Sequence, residues 1–328
     1  ERSRGLGDVY KRQNLIAEIS AQIERYSIRM EQIDSLRLRK VNRVKTVHSS
    51  LAIEGNSLSE GDVTAILEGK TVIAPQRQIL EVKNALKTYE LYSTLDPFSI
   101  KDLLKAHYTM MCGLIDEAGI FRKRGVGVFD GTNIIHVAPP AERVKGLMED
   151  LFEWLGTSSD HLLVRSCVFH YEFEFIHPFS DGNGRTGRLW QSLILGKLNP
   201  IFEHLPIENM VYLHQQDYYS AISQSSSEGD CQPFIDFMLQ EILDTLVEHQ
   251  GISVEEIGYK YDLNKGEIQA LGHIRADKRI TAVKLAEKLG LKPRQAERIL
   301  SGLKNKGIIK RTGSNRNGFW EVLADQKL

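Results

Sequence analysis

A segment of twelve residues, HPFSDGNGRTGR at positions 177–188, combines residue types that could transfer a phosphate-containing group. His177 can take a proton near neutral pH, as a general base must. Asp181 offers the hard oxygen that Mg²⁺ prefers. Arg185 and Arg188 carry the guanidinium groups that suit a polyphosphate. Together these residues predict a site for phosphoryl or nucleotidyl transfer.

The glycines of this segment predict how it would bind an anion. Gly182-Asn183-Gly184 can adopt positive φ and point several backbone N–H groups in one direction. We expect the next helix to begin near Arg185, and N–H groups at a helix start bind phosphates. Taken singly, a histidine before proline is more often structural and Gly-Asn-Gly is usually a turn, but their ordered combination favours a site.

Helices must position this segment, because most of the chain has helical apolar spacing. Pro178 disfavours helix at the residue before it, so His177 should lie at the end of an apolar helix. Two β-rich runs, 126–129 and 134–137, flank Asp130-Gly131 and predict a hairpin. We therefore predict a mainly α fold with helices over about 14–47, 46–56, 59–118, 141–155, 160–175 and 185–249, the last interrupted by a polar loop at 223–230.

Composition places the chain among ordinary globular proteins. It has 328 residues, 41% hydrophobic and 26% charged, with a net charge of −1 that selects no class of partner. Its three cysteines, Cys112, Cys167 and Cys231, form no CxxC pair. They favour a reduced cytoplasmic compartment over a zinc site or disulfides. No apolar run reaches about 18 residues, so no membrane span is expected.

The first residues, ERSRGLGDVYKRQ, are rich in Gly and Arg and lack an apolar period. They resemble a translated vector tail. We therefore interpret residues 1–13 as a non-native tail and set them aside.

The segment HPFSDGNGRTGR resembles the Fic family motif H-P-F-x-[DE]-G-N-G-R-x-x-R at every defined position. The resemblance implies an all-helical Fic core that carries a β-hairpin flap. It also implies a protein adenylyltransferase, which moves AMP from ATP to a Tyr, Thr or Ser hydroxyl of a protein, with ATP as co-substrate and Mg²⁺ as cofactor.

The resemblance also implies a role for each residue of the motif. His177 would be the general base, Phe179 a core anchor beneath the loop, and Asp181 the Mg²⁺ ligand. The nucleotide would be bound by Gly182, Asn183, Gly184, Arg185, Thr186, Gly187 and Arg188. Within this set, Gly182 to Gly184 and Arg185 would hold the α- and β-phosphates, and Arg188 the γ-phosphate.

Two further places are similar to the family. The hairpin at 126–137, preceded by Gly119-x-Phe121-Arg122, lies where the family carries its flap, on which a target protein docks by strand addition. Tyr218 and Tyr219 resemble a pair that packs near adenine, although ordinary helix packing explains them equally well. Trp190 is interpreted as core.

The segment Ser50-Leu51-Ala52-Ile53-Glu54-Gly55 matches the family's inhibitory pattern [ST]-x-x-x-E-[GN]. A glutamate at a helix end is usually a solvated charge. Beside this motif, the resemblance implies that Glu54 pairs with Arg188 and occupies the place of the γ-phosphate. ATP would then bind with its α-phosphate turned away from attack.

The C-terminal segment differs from the rest in charge. Residues 264–328 contain 15 Lys and Arg against 6 Asp and Glu, a net of +9. Three short helices, followed by a hairpin of residues 308–311 and 319–322 around a turn at 312–318, predict a winged helix-turn-helix. It could bind DNA through Arg294, Gln295 and Arg298, with Arg316 on the wing. It could equally support dimerisation or target docking.

The predicted organisation is a helical region at 14–95 with the inhibitory helix at 46–56, a Fic domain at 96–250, a connector at 251–263 and the winged helix-turn-helix at 264–328. Two alternatives stay open. The same site could remove AMP or transfer another phosphate-containing group, or the chain could be an ATP-sensing DNA-binding regulator. A homodimer is expected only by analogy.

Overall fold

The computed structural model of the protein describes residues 2–31, 35–130, 133–248, 257–258, 261–312 and 318–323. Over these residues the chain forms fourteen α-helices and four short strands, so the mainly α prediction is confirmed. It divides into two compact units, residues 1–31 with 39–246 and residues 32–38 with 247–328. Among the described helices, none is long and apolar enough to cross a membrane.

Helices and strands are numbered in chain order. They are α1 Arg2–Glu31, α2 Ser35–Ile53, α3 Glu60–Leu67, α4 Gln76–Glu90, α5 Ile100–Met111, β1 Gly127–Asp130, β2 Asn133–Val137, α6 Ala141–Thr157, α7 Leu162–Ile176, α8 Asn183–Leu198, α9 Ile207–Leu213, α10 Gln215–Glu228, α11 Gln232–Glu248, α12 Lys265–Ala276, α13 Ala282–Leu289, α14 Pro293–Asn305, β3 Ile309–Thr312 and β4 Phe319–Val322.

Helix α7 lies between the two hydrophobic cores of the first unit. Its Phe169 and Phe173 belong to one core, and its Cys167 and Tyr171 belong to the other. A helix that is apolar on all sides is stable only when it is surrounded by other elements. Helix α8 packs beside it with Trp190 fully buried, as predicted. The loop between these two helices therefore begins and ends at helices that are held by core packing.

The predicted hairpin is present. Strands β1 and β2 pair antiparallel, with Gly127 opposite Val137 and Asp130 opposite Asn133. The register shifts between Val128 and Phe129, which marks a β-bulge. The turn at 131–132 lies outside the described residues.

Several predicted boundaries were wrong. Helix α2 runs unbroken from Ser35 to Ile53, without a separate helix at 46–56. Helix α8 begins at Asn183 rather than near Arg185. The polar stretch 223–230 is helical over most of its length, because α10 continues to Glu228, and the break before α11 covers only residues 229–231. Ser225 stabilises it from inside, since this residue is fully buried and its Oγ accepts a hydrogen bond of 3.1 Å from the Phe234 N–H.

The segment set aside as a tail is helical. Helix α1 begins at Arg2, and the Arg12 Nε donates to Asp236 Oδ1 on α11 at 2.7 Å. Arg12, set aside with this segment, therefore contacts the first unit. The non-native origin of the segment stays a prediction.

The second unit contains α12, α13, α14 and the antiparallel pair β3 and β4, in the order expected from the sequence. Thr281 caps α13 through a hydrogen bond from the Lys284 N–H, and Gly290 ends that helix at φ 64°. Arg294, Gln295 and Arg298 are exposed on α14. Arg316 and most of the connector lie outside the described residues.

Candidate active site

His177 stands at the junction between α7 and the loop that follows it. It caps α7 through a 2.9 Å hydrogen bond from its N–H to the Phe173 carbonyl. Its backbone is left-handed, with φ 49° and ψ 62°, a conformation rare for a residue with a side chain. The histidine predicted to be the base is thus held in a strained position beside Pro178.

Arg122 fixes this strained backbone. Its Nε donates to the His177 carbonyl at 2.7 Å. Its other nitrogens donate to the carbonyls of Arg124 at 2.9 Å and Pro139 at 2.6 Å, before and after the hairpin. One buried guanidinium therefore connects the catalytic loop to both ends of the flap. Arg122 was noted in the sequence only within the flap's lead-in, without this role.

Phe179 anchors the loop, as predicted. It is fully buried, and its ring stacks on His107 with 3.6 Å between centroids. The His107 Nδ1 accepts from the Gly119 N–H at 2.8 Å, so its Nε2 donates to the Asp181 carbonyl at 2.9 Å. Burial lowers the pKa of His107 to about 4, which keeps the ring neutral. The sequence gives no signal for His107, which lies 74 residues before its partner.

Asn183 closes the loop. Its side-chain oxygen accepts from the Phe179 N–H and its amide donates to the Phe179 carbonyl, both at 2.9 Å. The side chain therefore holds the loop, and only its backbone N–H remains to bind a phosphate.

Gly182 starts α8 and makes the anion site possible. It has φ 85°, and no side chain caps the helix that follows. Neither Asn183 nor Gly184 has positive φ, which corrects the expected conformation of the Gly-Asn-Gly segment. The first N–H groups of α8 have no intrahelical partner, as at the start of any helix. The start of a helix, rather than a glycine nest, is therefore the feature of this loop that could bind an anion.

The two arginines of the motif are buried on α8. The side chain of Arg185 is 4% exposed and donates to Asp181 Oδ1 at 2.9 Å, while its Nε has no hydrogen-bond partner among the described residues. The side chain of Arg188 is 3% exposed. It donates to Glu54 Oε1 at 2.7 Å and to the Ser50 carbonyl at 2.9 Å. Its Nε lies 3.3 Å from Ser50 Oγ.

Glu54 follows the last turn of α2, and Gly55 closes that helix at φ 85°. Burial acts to raise the pKa of Glu54, but Arg188, with smaller contributions from Arg185 and His177, outweighs this effect, so the pKa is lowered. Glu54 is thus ionised at neutral pH. A Cβ at Gly184 would lie 2.6 Å from Glu54 Oε1 and 2.9 Å from a terminal nitrogen of Arg188. The absence of a side chain at Gly184 therefore makes space for the contact between Glu54 and Arg188.

Asp181 is the residue predicted to bind Mg²⁺. Its side chain is 41% exposed, and Oδ2 lies 3.7 Å from a terminal nitrogen of Arg77 on α4. No group of three or more His, Cys, Asp and Glu side chains placed for a metal occurs among the described residues. A single accessible carboxylate fits Mg²⁺, since this ion is commonly bound by one or two carboxylates together with phosphates and water. Arg77 was not identified from the sequence.

The tyrosine pair divides between two environments. Tyr218 is 3% exposed, and its hydroxyl lies 2.9 Å from Nε2 of the buried His170, which favours the helix-packing interpretation. Tyr219 is half-buried, and its hydroxyl accepts from the Gln215 amide at 3.4 Å. The same amide donates to the Ile53 carbonyl at 3.2 Å, next to Glu54. Tyr219 therefore lies beside the predicted phosphate site.

Thr186 and Gly187 are buried between α7 and α8. The Thr186 side chain is 1% exposed. A Cβ at Gly187 would lie 2.9 Å from Glu174 Oε1 and 3.1 Å from Phe173. Gly187 thus packs against α7, and Thr186 is buried. Glu174 was missed in the sequence, although its spacing of three residues from His177 on one helix could have indicated it.

The amino-acid sequence around this site matches a family model, and this match defines the class of protein. The model is described as the Fic/DOC family and matches residues 97–195, which include α7, the loop and all but the last three residues of α8. The chain therefore carries a Fic domain.

The solved structures and curated relatives extend this match. A crystal structure of a Fic family protein from Desulfovibrio desulfuricans is 40% identical, covers 94% of each chain and has a TM-score of 0.71. A protein from Culex quinquefasciatus named protein adenylyltransferase Fic is 32% identical over 214 residues, which is 62% of this chain and 40% of that relative. One from Caenorhabditis elegans, named protein adenylyltransferase fic-1, is 31% identical over 205 residues.

This chain belongs to the Fic family. It spans about 40% of the length of the curated relatives that it matches.

Proposed function

We propose that this protein is an adenylyltransferase that moves AMP from ATP to a Tyr, Thr or Ser hydroxyl of a protein. One observation supports the proposal: the loop that joins His177 at the end of α7 to the start of α8 carries Asp181, and the first turns of α8 carry two buried arginines. The curated relatives at about 31% identity bear the same activity in their names.

The triphosphate would bind across the start of α8. The α- and β-phosphates face the N–H groups of Asn183 and Gly184, and Arg185 neutralises their charge from a buried position. Arg188 would bind the γ-phosphate once its contact with Glu54 is broken. Of the two tyrosines predicted to pack near adenine, only Tyr219 is partly exposed, so it is the one that we propose for this contact. Asp181 would hold Mg²⁺, which neutralises and orients the phosphates when it is bound.

The reaction forms one bond and breaks one. The acceptor hydroxyl oxygen attacks the α-phosphorus, and the bond from that phosphorus to the β-phosphate oxygen breaks. His177 takes the hydroxyl proton, and pyrophosphate leaves while AMP stays on the acceptor. Arg122 keeps His177 in place during these steps, because it holds the histidine's carbonyl.

Glu54 restrains this reaction. Its carboxylate occupies the Arg188 guanidinium at 2.7 Å, and Ser50 accepts two further hydrogen bonds from the same side chain. Arg188 is then not available to the γ-phosphate, and the triphosphate binds with its α-phosphate misplaced. A displacement of about 1 Å can cost on the order of 100-fold in rate.

The test is intact mass measured after incubation with ATP and Mg²⁺. We expect Glu54→Gly to gain covalent AMP several-fold faster than the parent chain, with the modified residue mapped by peptide mass. Glu60→Gly is the matched control, since Glu60 is an exposed glutamate at the start of α3. If neither Glu54→Gly nor the parent labels any polypeptide, the proposal fails.

Removal of AMP is a second candidate for the same site. The low pKa of Glu54, on which Arg188 and His177 both act, keeps a carboxylate beside the base, where it could orient a water. AMP-modified protein incubated with Mg²⁺ separates the two directions. Loss of AMP that depends on Glu54 would support removal.

The second unit is proposed to be a winged helix-turn-helix, supported by its order of three helices and a hairpin. Exposed Arg294 and Arg298 and the net charge of +9 favour DNA. If the second unit binds DNA, the alternative function of this chain is that of an ATP-sensing DNA-binding regulator. It predicts operator binding that changes with ATP and no covalent AMP.

Partners and compartment complete the proposal. The backbone edges of β1 and β2 could pair with an extended target segment. A reduced cytoplasmic compartment agrees with the three cysteines, all of which are free. A homodimer stays a prediction that light scattering of the purified chain would test.

A further inference from the structure

Glu174 is a buried carboxylate at the catalytic centre that the reaction above does not use. It lies in the last turn of α7, three residues before His177, and its side chain is 13% exposed. Its Oε2 is 3.9 Å from Nδ1 of His177. Its Oε1 has no hydrogen-bond partner among the described residues. A carboxylate kept in such a place lowers stability, so its presence needs an explanation.

Helix α8 leaves room for this carboxylate. A side chain at Gly187 would lie 2.9 Å from Glu174 Oε1, so the glycine allows Glu174 to point between the helices. The other charged groups that face it are Arg188 on α8 and Glu54 after α2. Burial raises the pKa of Glu174 to about 7, while Arg188 acts against this and Glu54 adds to it.

We propose that Glu174 is a positioning residue for His177, which orients the imidazole from behind and stabilises its protonated form. The inference rests on the proposed function. When His177 takes the proton of the acceptor hydroxyl on Nε2, the ring becomes positive and Nδ1–H faces the Glu174 carboxylate. The proton stays on the histidine and the carboxylate stays ionised, so no further proton moves. A carboxylate behind the histidine does the same in serine hydrolases.

The first measurement does not depend on activity. Histidine labelled with ¹⁵N reports the pKa and tautomer of His177 by NMR in the Glu54→Gly protein, and His177→Ala identifies its signal. We expect Glu174→Gln to lower the pKa of His177, because an ionised neighbour that favours imidazolium is lost. Glu172→Gln, on the same helix, is the matched control and should lower it less.

The second measurement is the rate of AMP transfer at pH 8, above the pKa of about 7 of Glu174. We expect Glu174→Gln to lower kcat at least about tenfold with the KM for ATP unchanged, and Glu174→Asp to recover part of the loss. Thermal unfolding of each variant shows that it is folded, and Glu174→Asp serves for both measurements if Glu174→Gln does not fold.

Two failures can be told apart. An unchanged pKa and tautomer of His177 in Glu174→Gln would overturn the role of Glu174, whatever the activity. Absence of AMP transfer in the Glu54→Gly parent would overturn the proposed function, and the NMR titration would still decide whether Glu174 positions His177.

Discussion

Two helices of this chain present arginines near their first turn and surround them differently. On α8 the side chains of Arg185 and Arg188 are 4% and 3% exposed, and each donates to a carboxylate. On α14 the residues Arg294 and Arg298 are exposed. A buried guanidinium is stable only with well-placed partners, whereas an exposed one is solvated at little cost.

The difference in burial separates what each helix can specify. Burial fixes the directions in which the α8 arginines donate, so that region defines the shape and charge of its ligand. The exposed arginines of α14 define only a positive surface, which suits many polyanions. We therefore expect substitutions on α8 and its loop to have large and specific effects, and those on α14 to have small and salt-dependent ones.

The largest effect is expected at the loop before α8. His177→Ala should lower AMP transfer in the Glu54→Gly protein by about 100- to 10,000-fold, because the base is lost. ATP binding, measured by calorimetry, should be unchanged, since the phosphate contacts remain. Labelling at the rate of the Glu54→Gly parent would refute the assignment of His177 as the base.

Arg188→Ala and Arg298→Ala compare the two helices directly. Arg188→Ala should lower the free energy of unfolding by about 3–5 kcal/mol, because it leaves the carboxylates of Glu54 and Glu174 without their cation. Arg298→Ala should change it by less than about 0.5 kcal/mol. Denaturant unfolding with equal m-values checks both, and similar losses would remove the contrast between the helices.

The contact between Glu54 and Arg188 should also depend on pH. The folded-state pKa of Glu54 lies below the usual 4.5, so the unfolded chain binds protons more readily as the pH falls. The stabilisation is present above pH 4.5 and is lost as the pH falls through the folded pKa. Wild type should exceed Glu54→Gln by about 1 kcal/mol at pH 7. A gap that does not shrink as the pH falls below 4.5 would contradict this origin.

The smallest effect is expected for α14. The double variant Arg294→Ala and Arg298→Ala should weaken a mobility shift with duplex DNA at low salt, and moderate salt should weaken the parent's shift as well. Glu297→Ala on the same helix controls for changes in α14. No shift of the parent chain at low salt would end the DNA-binding hypothesis.

Local chemistry explains which parts of the site could be predicted from the sequence. Pro178 disfavours helix at the residue before it, and Gly182 allows the turn that starts α8, so both ends of the loop follow from neighbouring residues. The capping pair Ser59 and Asp62 at the start of α3 is equally local, because the two residues lie three positions apart.

Long-range contacts explain what the sequence could not reveal. Arg122 holds a carbonyl 55 residues away, and no local pattern encodes such a pairing. The serine-rich end of α10 has the composition of a loop, but it is helical because burial of Ser225 overrides local preference. In the sequence, Tyr218 resembles a residue that contacts the nucleotide. Its hydrogen bond to His170, 48 residues away, shows that it packs inside the fold.

Gly184 has a consequence for how the proposed restraint by Glu54 could be lost in evolution. A methyl group there would lie within 3 Å of both Glu54 and Arg188, so Gly184→Ala must push these two side chains apart. The same methyl group would stand on the surface that the triphosphate has to approach. Relatives that have lost the inhibition should therefore differ at Ser50 or Glu54. Position 184 should stay glycine in relatives with and without the inhibitory glutamate.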